Sequence, residues 1–386
     1  MKSLSFPELL AKIGKAHLLV ACASAFTEGK FPLEIAGCEG ALGTLRLARL
    51  FAARPGLYVA VVPQEIDAAE LALDLAASGL PVLTFPWWGA VPYRELNPLS
   101  AVFGERVKVL SELALGKPGI VIVPQRAFLN PLPPSDYIKS LLVSLKPGGG
   151  INTRTLAETL ASYGYTRVPR VQMHGEFALR GEVLDILMGG DYTAQAAEAY
   201  RVLFDFDRIE SIKPFDPINQ GSGPGRETLP ELVIRPMREV VWTDGRIEKL
   251  GDKLSAFQEF TDGGKAIMED LISFRCIQGE ELFYPLAFDS PGNLLDYLGV
   301  EGTLVLFGRE RLEKAQESLV HEYKSLYAHS FRGKNDSKRP YEYPLPERLL
   351  LDFNELVKGQ RRIVSFKAIK SEPESGCFRF NIPCEP

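Results

Sequence analysis

Short apolar runs alternate with helical periods over residues 34–145 of the chain. Apolar runs at 57–62, 82–85 and 119–124 predict strands. The segments between them place apolar residues every three or four positions, which predicts helices after Gly40, at 65–78 and at 101–115. Strands that are apolar on both sides are typical of a parallel sheet covered by helices. The first part of the chain is therefore predicted to be an α/β domain.

The spacing of apolar residues changes after LKPGGG (145–150), where proline and glycine interrupt the alternation of strands and helices. A helix is predicted at 155–165 and a series of short strands at 166–236, which indicates an α+β unit with an antiparallel sheet. Beyond it, helices at 251–259 and 309–327 mix with strands at 303–307 and 362–366. We predict an α/β domain interrupted by an insertion, with parts at 1–147, 148–235 and 236–386. Residues 371–386 fit either a linker or a further strand.

The amino terminus carries an apolar run at 18–25, closely preceded by Lys12 and Lys15. The run is short for a signal peptide, so the segment predicts a helix followed by a buried strand. No membrane association is expected.

Charge and cysteine content narrow the classes of function. The net charge of −5 argues against a broad basic surface for nucleic acid, although a local basic patch remains compatible with it. The polar tract 332–344 is read as a solvent loop, with a basic loop for nucleic acid as the alternative. The five cysteines are scattered and contain no C-x-x-C pair, which argues against a zinc site and favours a reducing, cytoplasmic compartment.

Residues 37–44, GCEGALGT, have the outline of a phosphate-binding loop without its charge. Gly37, Gly40 and Thr44 have the required spacing, but Leu42 stands where a glycine is needed and Gly43 where the lysine is needed. Without that lysine no cation reaches the terminal phosphates, so tight ATP binding is not expected.

Other catalytic patterns are weak. The stretch RLLLDFNE (348–355) resembles an apolar strand that ends in a magnesium-binding aspartate, but a core segment ending in a polar turn explains it as well. The four histidines lie apart, and neither a metal-binding pattern nor a nucleophile elbow is present. No catalytic residue, metal ligand or cofactor is assigned to this chain.

The β-rich unit carries the most specific motifs. In HGEFALRGEVLDIL (174–187) the central R-G pair predicts a bend or bulge that turns Arg180 outward. The second stretch, EAYRVLFDFDRIESIKPFDP (198–217), alternates apolar and charged residues. Together they resemble the second domain shared by the excision-repair protein UvrB and the bacterial transcription-repair coupling factors.

The rest of the chain favours the coupling factors over UvrB. UvrB keeps an intact phosphate loop and a tyrosine-rich DNA-gripping hairpin, and neither has a counterpart here. The stretch FPWWGAVPYRELNPLSAVFGERVKVLSEL (85–113) is similar to a coupling-factor motif at Trp88, Pro92, Tyr93, Pro98, Glu105 and Arg106. The resemblance covers roughly residues 15–370. It implies an α/β fold with a degenerate P-loop, helicase-like parallel sheet and an inserted antiparallel domain of the UvrB type.

The resemblance also implies a partner. In the family, arginines on the second domain contact UvrA, and the motifs transfer that role to Arg180 and Arg201. Phe204 and Phe206 are the candidate apolar anchors, because Asp205 stands where the family has an aromatic residue. The competing interpretation is that both arginines form local ion pairs, for example with Glu182 or Glu210.

For the parent protein the resemblance implies ATP and magnesium in motor domains, contacts with RNA polymerase and double-stranded DNA, and a carboxy-terminal domain that masks the UvrA face. Two alternatives remain open from the sequence. In the first alternative to the coupling-factor interpretation, the chain is a divergent ATPase or helicase half that still binds nucleotide at 37–44. In the second, it is a DNA-binding module related to UvrB.

Overall fold

Two large β-sheets organise the chain. The computed structural model describes residues 17–37, 40–94, 98, 100–189, 198–219, 221, 227–258, 260, 264–332, 342–367 and 377–381. In chain order the strands are β1 (Leu33–Ala36), β2 (Leu57–Val62), β3 (Val82–Thr84), β4 (Gly119–Pro124), β5 (Val143–Leu145), β6 (Thr166–Arg167), β7 (Glu176–Arg180), β8 (Val183–Leu187), β9 (Ala199–Asp205), β10 (Arg208–Pro214), β11 (Leu232–Ile234), β12 (Thr303–Phe307), β13 (Ile363–Lys367) and β14 (Phe378–Asn381). The helices are α1 (His17–Thr27), α2 (Ala41–Ala53), α3 (Glu65–Ala76), α4 (Ser100–Ala114), α5 (Gln125–Phe128), α6 (Ser135–Ser140), α7 (Thr153–Ser162), α8 (Asp244–Ala256), α9 (Lys265–Phe274), α10 (Arg309–Arg332) and α11 (Phe353–Lys358).

The first sheet has seven strands in the order β14-β1-β13-β12-β2-β4-β3, and every neighbouring pair is parallel. Alternate residues of β2 enter different cores: Val59 and Val61 lie on one face of the sheet, Tyr58 and Ala60 on the other. Helices α1, α2 and α3 supply buried side chains to the second of these cores. A parallel sheet with both faces buried confirms the predicted α/β class.

The second sheet has five strands in the order β10-β9-β8-β7-β6. Strands β7 to β10 pair antiparallel, whereas β6 runs parallel to β7. Its inner face buries Phe177, Ile186 and Val202 against Leu156 and Leu160 of α7. This sheet and its helix are the α+β unit that the sequence predicts.

A small third sheet closes the α+β unit. Strands β5 and β11 pair antiparallel, with Leu145 opposite Leu232, and both residues belong to the same core as α7. This pairing favours a unit that starts near residue 143, before the predicted boundary at 148.

Most predicted elements are found with small shifts of their ends. The strands predicted at 57–62, 119–124 and 303–307 are confirmed residue for residue, and the helices at 65–78 and 101–115 end within two residues of the prediction. The strand expected in the apolar run 18–25 is wrong, because that run lies inside α1. Cys22 and Phe26 are buried while Val20 is exposed, which is the periodicity of a helix. The helix expected before this run, and residues 333–341 of the predicted loop 332–344, lie outside the described residues.

Two ambiguous segments near the carboxyl end are resolved. Asp352 is not the end of a strand: its side chain accepts a hydrogen bond from the Glu355 backbone N–H at 2.9 Å and so caps α11. This agrees with the core segment and polar turn. Residues Phe378–Asn381 form β14, parallel to β1, as the strand alternative for 371–386 requires.

Candidate docking face

A tight hairpin presents the first of the predicted arginines. Arg180 ends β7 and pairs directly with Val183 of β8, so Gly181 and Glu182 form a two-residue turn. Gly181 has φ +57°, a left-handed conformation that glycine adopts without strain. The R-G pair therefore marks a hairpin turn rather than the predicted bend or bulge. Arg180 points into solvent over about half of its surface, with 53% of the side chain exposed.

One carboxylate joins the two arginines. Asp185 of β8 lies opposite Arg201 of β9 in the antiparallel register. Arg201 donates two hydrogen bonds to it, from Nε to Oδ1 at 2.6 Å and from Nη2 to Oδ2 at 2.9 Å. Arg180 donates from Nη2 to the same Oδ2 at 2.9 Å. A single carboxylate thus holds two guanidinium groups side by side on the outer face of the sheet.

The surroundings of this ion cluster are partly apolar. The Asp185 side chain is fully buried, and a small cluster of Ala178, Leu187, Ala199 and Phe215 lies on the same face of the sheet. Hydrogen bonds to Asp185 raise the pKa of Arg201, whose guanidinium also lies over the Phe215 ring at 5.3 Å. Charge-assisted bonds in a poorly hydrated setting are stronger than on an open surface.

A third cation extends the cluster. Lys213 of β10 is directly opposite Arg201 and faces the same side of the sheet. We define the docking face as Arg180, Asp185, Arg201 and Lys213. Asp185 and Lys213 were not predicted as site residues, because only the register of β8, β9 and β10 places them opposite Arg201.

The two predicted apolar anchors, Phe204 and Phe206, differ in their exposure to solvent. Phe204 is buried in the inner core, 2% exposed, and its side chain is not accessible to a partner. Phe206 lies between β9 and β10 at φ +52° and is 82% exposed. The local ion pairs foreseen as the competing interpretation do exist, but with Asp185 instead of Glu182 or Glu210.

The degenerate phosphate loop lies between the end of β1 and the start of α2, which follows the predicted helix start after Gly40. Gly37 follows the strand, Gly40 caps the helix at φ +53°, and Gly43 and Thr44 are buried in its first turn. The Thr44 hydroxyl donates to the Asp74 carboxylate at 3.4 Å, which brings a negative charge near the loop. Residues 38 and 39 lie outside the described part of the chain.

The coupling-factor motif at 85–113 has a structural role here. Arg106 of α4 is fully buried, its Nε donates to Glu239, and its Nη1 donates to the Pro86 carbonyl at 2.7 Å. Its guanidinium stacks on Phe85 and Trp88 at 4.1 and 3.8 Å from the ring centroids. Burial lowers the pKa of Arg106 and raises the pKa of Glu239, whereas the opposite charge of each partner favours both ionised forms. The pair joins α4 to the segment that leaves the α+β unit.

A cavity of about 550 Å³ lies beside this junction, lined in part by His174, Met237, Arg238 and Glu281. Burial, together with the neighbouring charge of Glu280, raises the pKa of Glu281 to about 8. Arg238 donates to Glu280 at 3.2 Å. Among the described residues no group of three or more His, Cys, Asp or Glu side chains could hold a metal ion. None of the helices that the structure describes is long and apolar enough to cross a membrane.

Comparison with known proteins defines the class of the α+β unit. Residues 143–239 match the family model described as the UvrB interaction domain. This range begins with β5 and extends just past β11, so it coincides with the unit closed by that strand pair.

Most of the chain is similar to transcription-repair-coupling factors. It is 26% identical over 366 residues to the protein of Borreliella burgdorferi, which covers 93% of this chain and 30% of that protein. The protein of Haemophilus influenzae is 27% identical over 332 residues, covering 86% of this chain and 27% of its own length. That of Rickettsia conorii is 30% identical over 247 residues, 63% of this chain and 21% of its own. The chain spans less than a third of each relative, and the resemblance to the UvrB-homology module of these factors is confirmed.

Proposed function

We propose that this chain is the UvrA-recruiting module of a transcription-repair coupling factor and that the docking face makes the contact. The observation that carries the proposal is the position of Arg180 and Arg201 on the outer face of a sheet whose residues, 143–239, match the UvrB interaction domain. Arginine suits a protein contact of this kind, since its planar guanidinium binds carboxylates in pairs and stays charged.

The parent protein has a wider role in this proposal. Its motor domains hydrolyse ATP with magnesium, act on double-stranded DNA and displace RNA polymerase stalled at damage, while this module brings in excision repair. A carboxy-terminal domain of the parent masks the docking face at rest. The scattered cysteines favour the cytoplasm as the compartment.

The test is a calorimetric titration of the full chain against UvrA. The variants are Arg180→Ala and Arg201→Ala, and we expect each to weaken binding by more than about 1 kcal/mol, as at the centre of an interface. Arg154→Ala is the matched control, because Arg154 is a similarly charged residue, 88% exposed, on α7. Helix α7 packs on the opposite face of the sheet, so this variant should bind like the wild type.

Two results would contradict the proposal. If UvrA does not bind the wild-type chain, then this chain shares the fold of its relatives but does not recruit UvrA. If all three arginine variants bind equally well, UvrA contacts another surface. A parallel titration with duplex DNA at two salt concentrations tests the DNA-binding alternative, whose affinity should fall steeply with salt.

A further inference from the structure

The two arginines of the docking face are held in unequal ways. Arg201 gives two hydrogen bonds to Asp185, and only 21% of its side chain is exposed. Arg180 gives one hydrogen bond to Asp185 and keeps 53% of its side chain exposed. A side chain that a partner must reach needs the second arrangement, and a side chain that supports its neighbour fits the first.

We infer that Asp185 and Arg201 are positioning residues and that Arg180 makes the direct contact with an acidic partner surface. The inference rests on the proposed function and adds a division of roles to it. Asp185 Oδ2 accepts from both guanidinium groups at 2.9 Å, so the carboxylate fixes where the Nη2 atom of Arg180 lies. Arg201 in turn fixes the carboxylate through its two parallel bonds.

In this arrangement Arg180 is already ordered in the free protein, before a partner binds. A free arginine side chain samples many rotamers, and binding would have to overcome the loss of that entropy. Holding Arg180 through Asp185 removes part of that cost in advance, in the way that preorganisation generally strengthens association. The carboxylate of Asp185 is fully buried beneath the arginines. It therefore restrains Arg180 without covering the exposed part of that side chain.

The charge of the face identifies the chemistry of the partner. Arg180 and Arg201 share the one carboxylate of Asp185, which leaves this ion cluster with a net positive charge within a chain of net charge −5. A partner segment that bears carboxylates complements such a face.

The matched pair of variants is Asp185→Asn and Asp205→Asn. Both remove one negative charge, and Asp205 lies on β9 with its side chain on the same face as Arg201, at the exposed end of the strand. If the charge of Asp185 merely opposed an acidic partner, both variants would bind UvrA more tightly. We expect instead that Asp185→Asn weakens binding about tenfold through faster dissociation, while Asp205→Asn binds as well as the wild type or better.

A double-mutant cycle isolates the positioning role. The double variant Arg180→Ala/Asp185→Asn should lose less affinity than the product of the two single fold-losses, because Asp185 acts through Arg180. Arg201→Lys keeps the charge but not the two parallel bonds, and should weaken binding severalfold with an unchanged dependence on salt. Additive losses for Arg180 and Asp185 would overturn the inference, as would wild-type affinity in Asp185→Asn.

Arginine side-chain NMR relaxation gives a readout that does not need the partner. Arg180 should be restrained on the nanosecond timescale in the wild type and mobile in Asp185→Asn and Arg201→Lys, with Arg154 mobile in all three. Arg180 that is equally mobile in wild type and variants overturns the positioning role even where UvrA binds. If UvrA fails to bind the wild type while Asp185→Asn releases Arg180, the proposed function falls and the positioning role stands.

Discussion

At the scale of single residues, one buried ion pair outside the docking face should stabilise the fold. Arg106 and Glu239 have side chains 0% and 1% exposed and form one ion pair. Removing one member leaves the other charged, buried and unpaired, which costs about 3–5 kcal/mol. We therefore expect Arg106→Met and Glu239→Gln each to lower the free energy of unfolding by that amount in urea titrations followed by circular dichroism.

The control for this pair is an exposed one. Arg154 and Glu158 lie one helical turn apart, with side chains 88% and 65% exposed. Surface pairs of this kind contribute about 0–1 kcal/mol, so Arg154→Ala should leave the unfolding midpoint nearly unchanged. A loss of less than 1 kcal/mol in Arg106→Met would show that water or a rearranged neighbour compensates Glu239.

Glu281 predicts a dependence of stability on pH. Its pKa is raised from 4.5 to about 8 in the folded chain, so between these values the folded state binds a proton that the unfolded state has released. The unfolding free energy must then fall as the pH rises through this window, with a limiting slope of about 1.4 kcal/mol per pH unit. Below the window the carboxyl is protonated in both states, and this cost disappears.

The neutral variant Glu281→Gln removes that titration. Its unfolding free energy, compared with that of the wild type, should rise steadily between about pH 5 and pH 8. Denaturant titrations at several pH values measure the difference, and curves that stay parallel would mean that Glu281 is ionised in the folded state.

At the scale of elements, the degenerate loop and α2 make a prediction about nucleotide. Gly43 stands where a lysine would bind phosphate, and Asp74 lies within 3.4 Å of the Thr44 hydroxyl. Neither feature favours a polyphosphate. We expect ATP with magnesium to leave the melting temperature unchanged at millimolar concentrations, measured by scanning fluorimetry against sodium phosphate at equal ionic strength.

The size of the effect makes this test decisive. A ligand present at one hundred times its dissociation constant stabilises the folded state by about 2.7 kcal/mol. A melting temperature that rises with ATP and magnesium, but not with phosphate alone, would restore the divergent ATPase as the better interpretation.

Elements were predictable where the signal is local. Strand β2 is an unbroken apolar run, and its ends are found as predicted. The prediction for 18–25 failed because a mostly apolar run of eight residues fits a buried strand as well as a helix, and only the packing of Cys22 and Phe26 distinguishes the two. The four-residue strand β1 is too short to give a period.

The docking face depends on contacts between strands. Arg180 and Arg201 were predicted from motifs. Asp185 belongs to the docking face only because the strand register sets it opposite Arg201, sixteen residues later in the chain. Phe204 and Phe206 look equivalent in sequence. Their fates differ because Phe204 still belongs to β9 and points inward, while Phe206 lies in the turn.

At the scale of the whole molecule, the chain leaves its parallel sheet and returns to it. Strand β12 pairs with β2, so residues near 305 complete a sheet begun near residue 60, and the α+β unit lies between them in sequence. An insertion whose two ends are joined by β5 and β11 can fold without strain on its host.

This arrangement predicts that residues 143–239 fold alone. The unit has its own core, which includes Leu145, Leu156, Phe177, Val202 and Ile234, and it is well above the roughly 40 residues that a domain needs without disulfides or metals. We expect the isolated fragment to unfold cooperatively in urea, as seen by circular dichroism, and to keep the affinity of the full chain for UvrA.

A shorter fragment tests where the unit begins. Residues 148–235 lack β5, which leaves Leu232–Ile234 without their pairing partner and opens the core at Leu145. This fragment should therefore unfold at a clearly lower urea concentration than 143–239. Equal midpoints would place the boundary at the proline- and glycine-rich segment, as the sequence alone suggests. An unfolded 143–239 fragment would instead show that the unit needs the α/β part, for example through the 2.9 Å ion pair between Lys108 and Glu198.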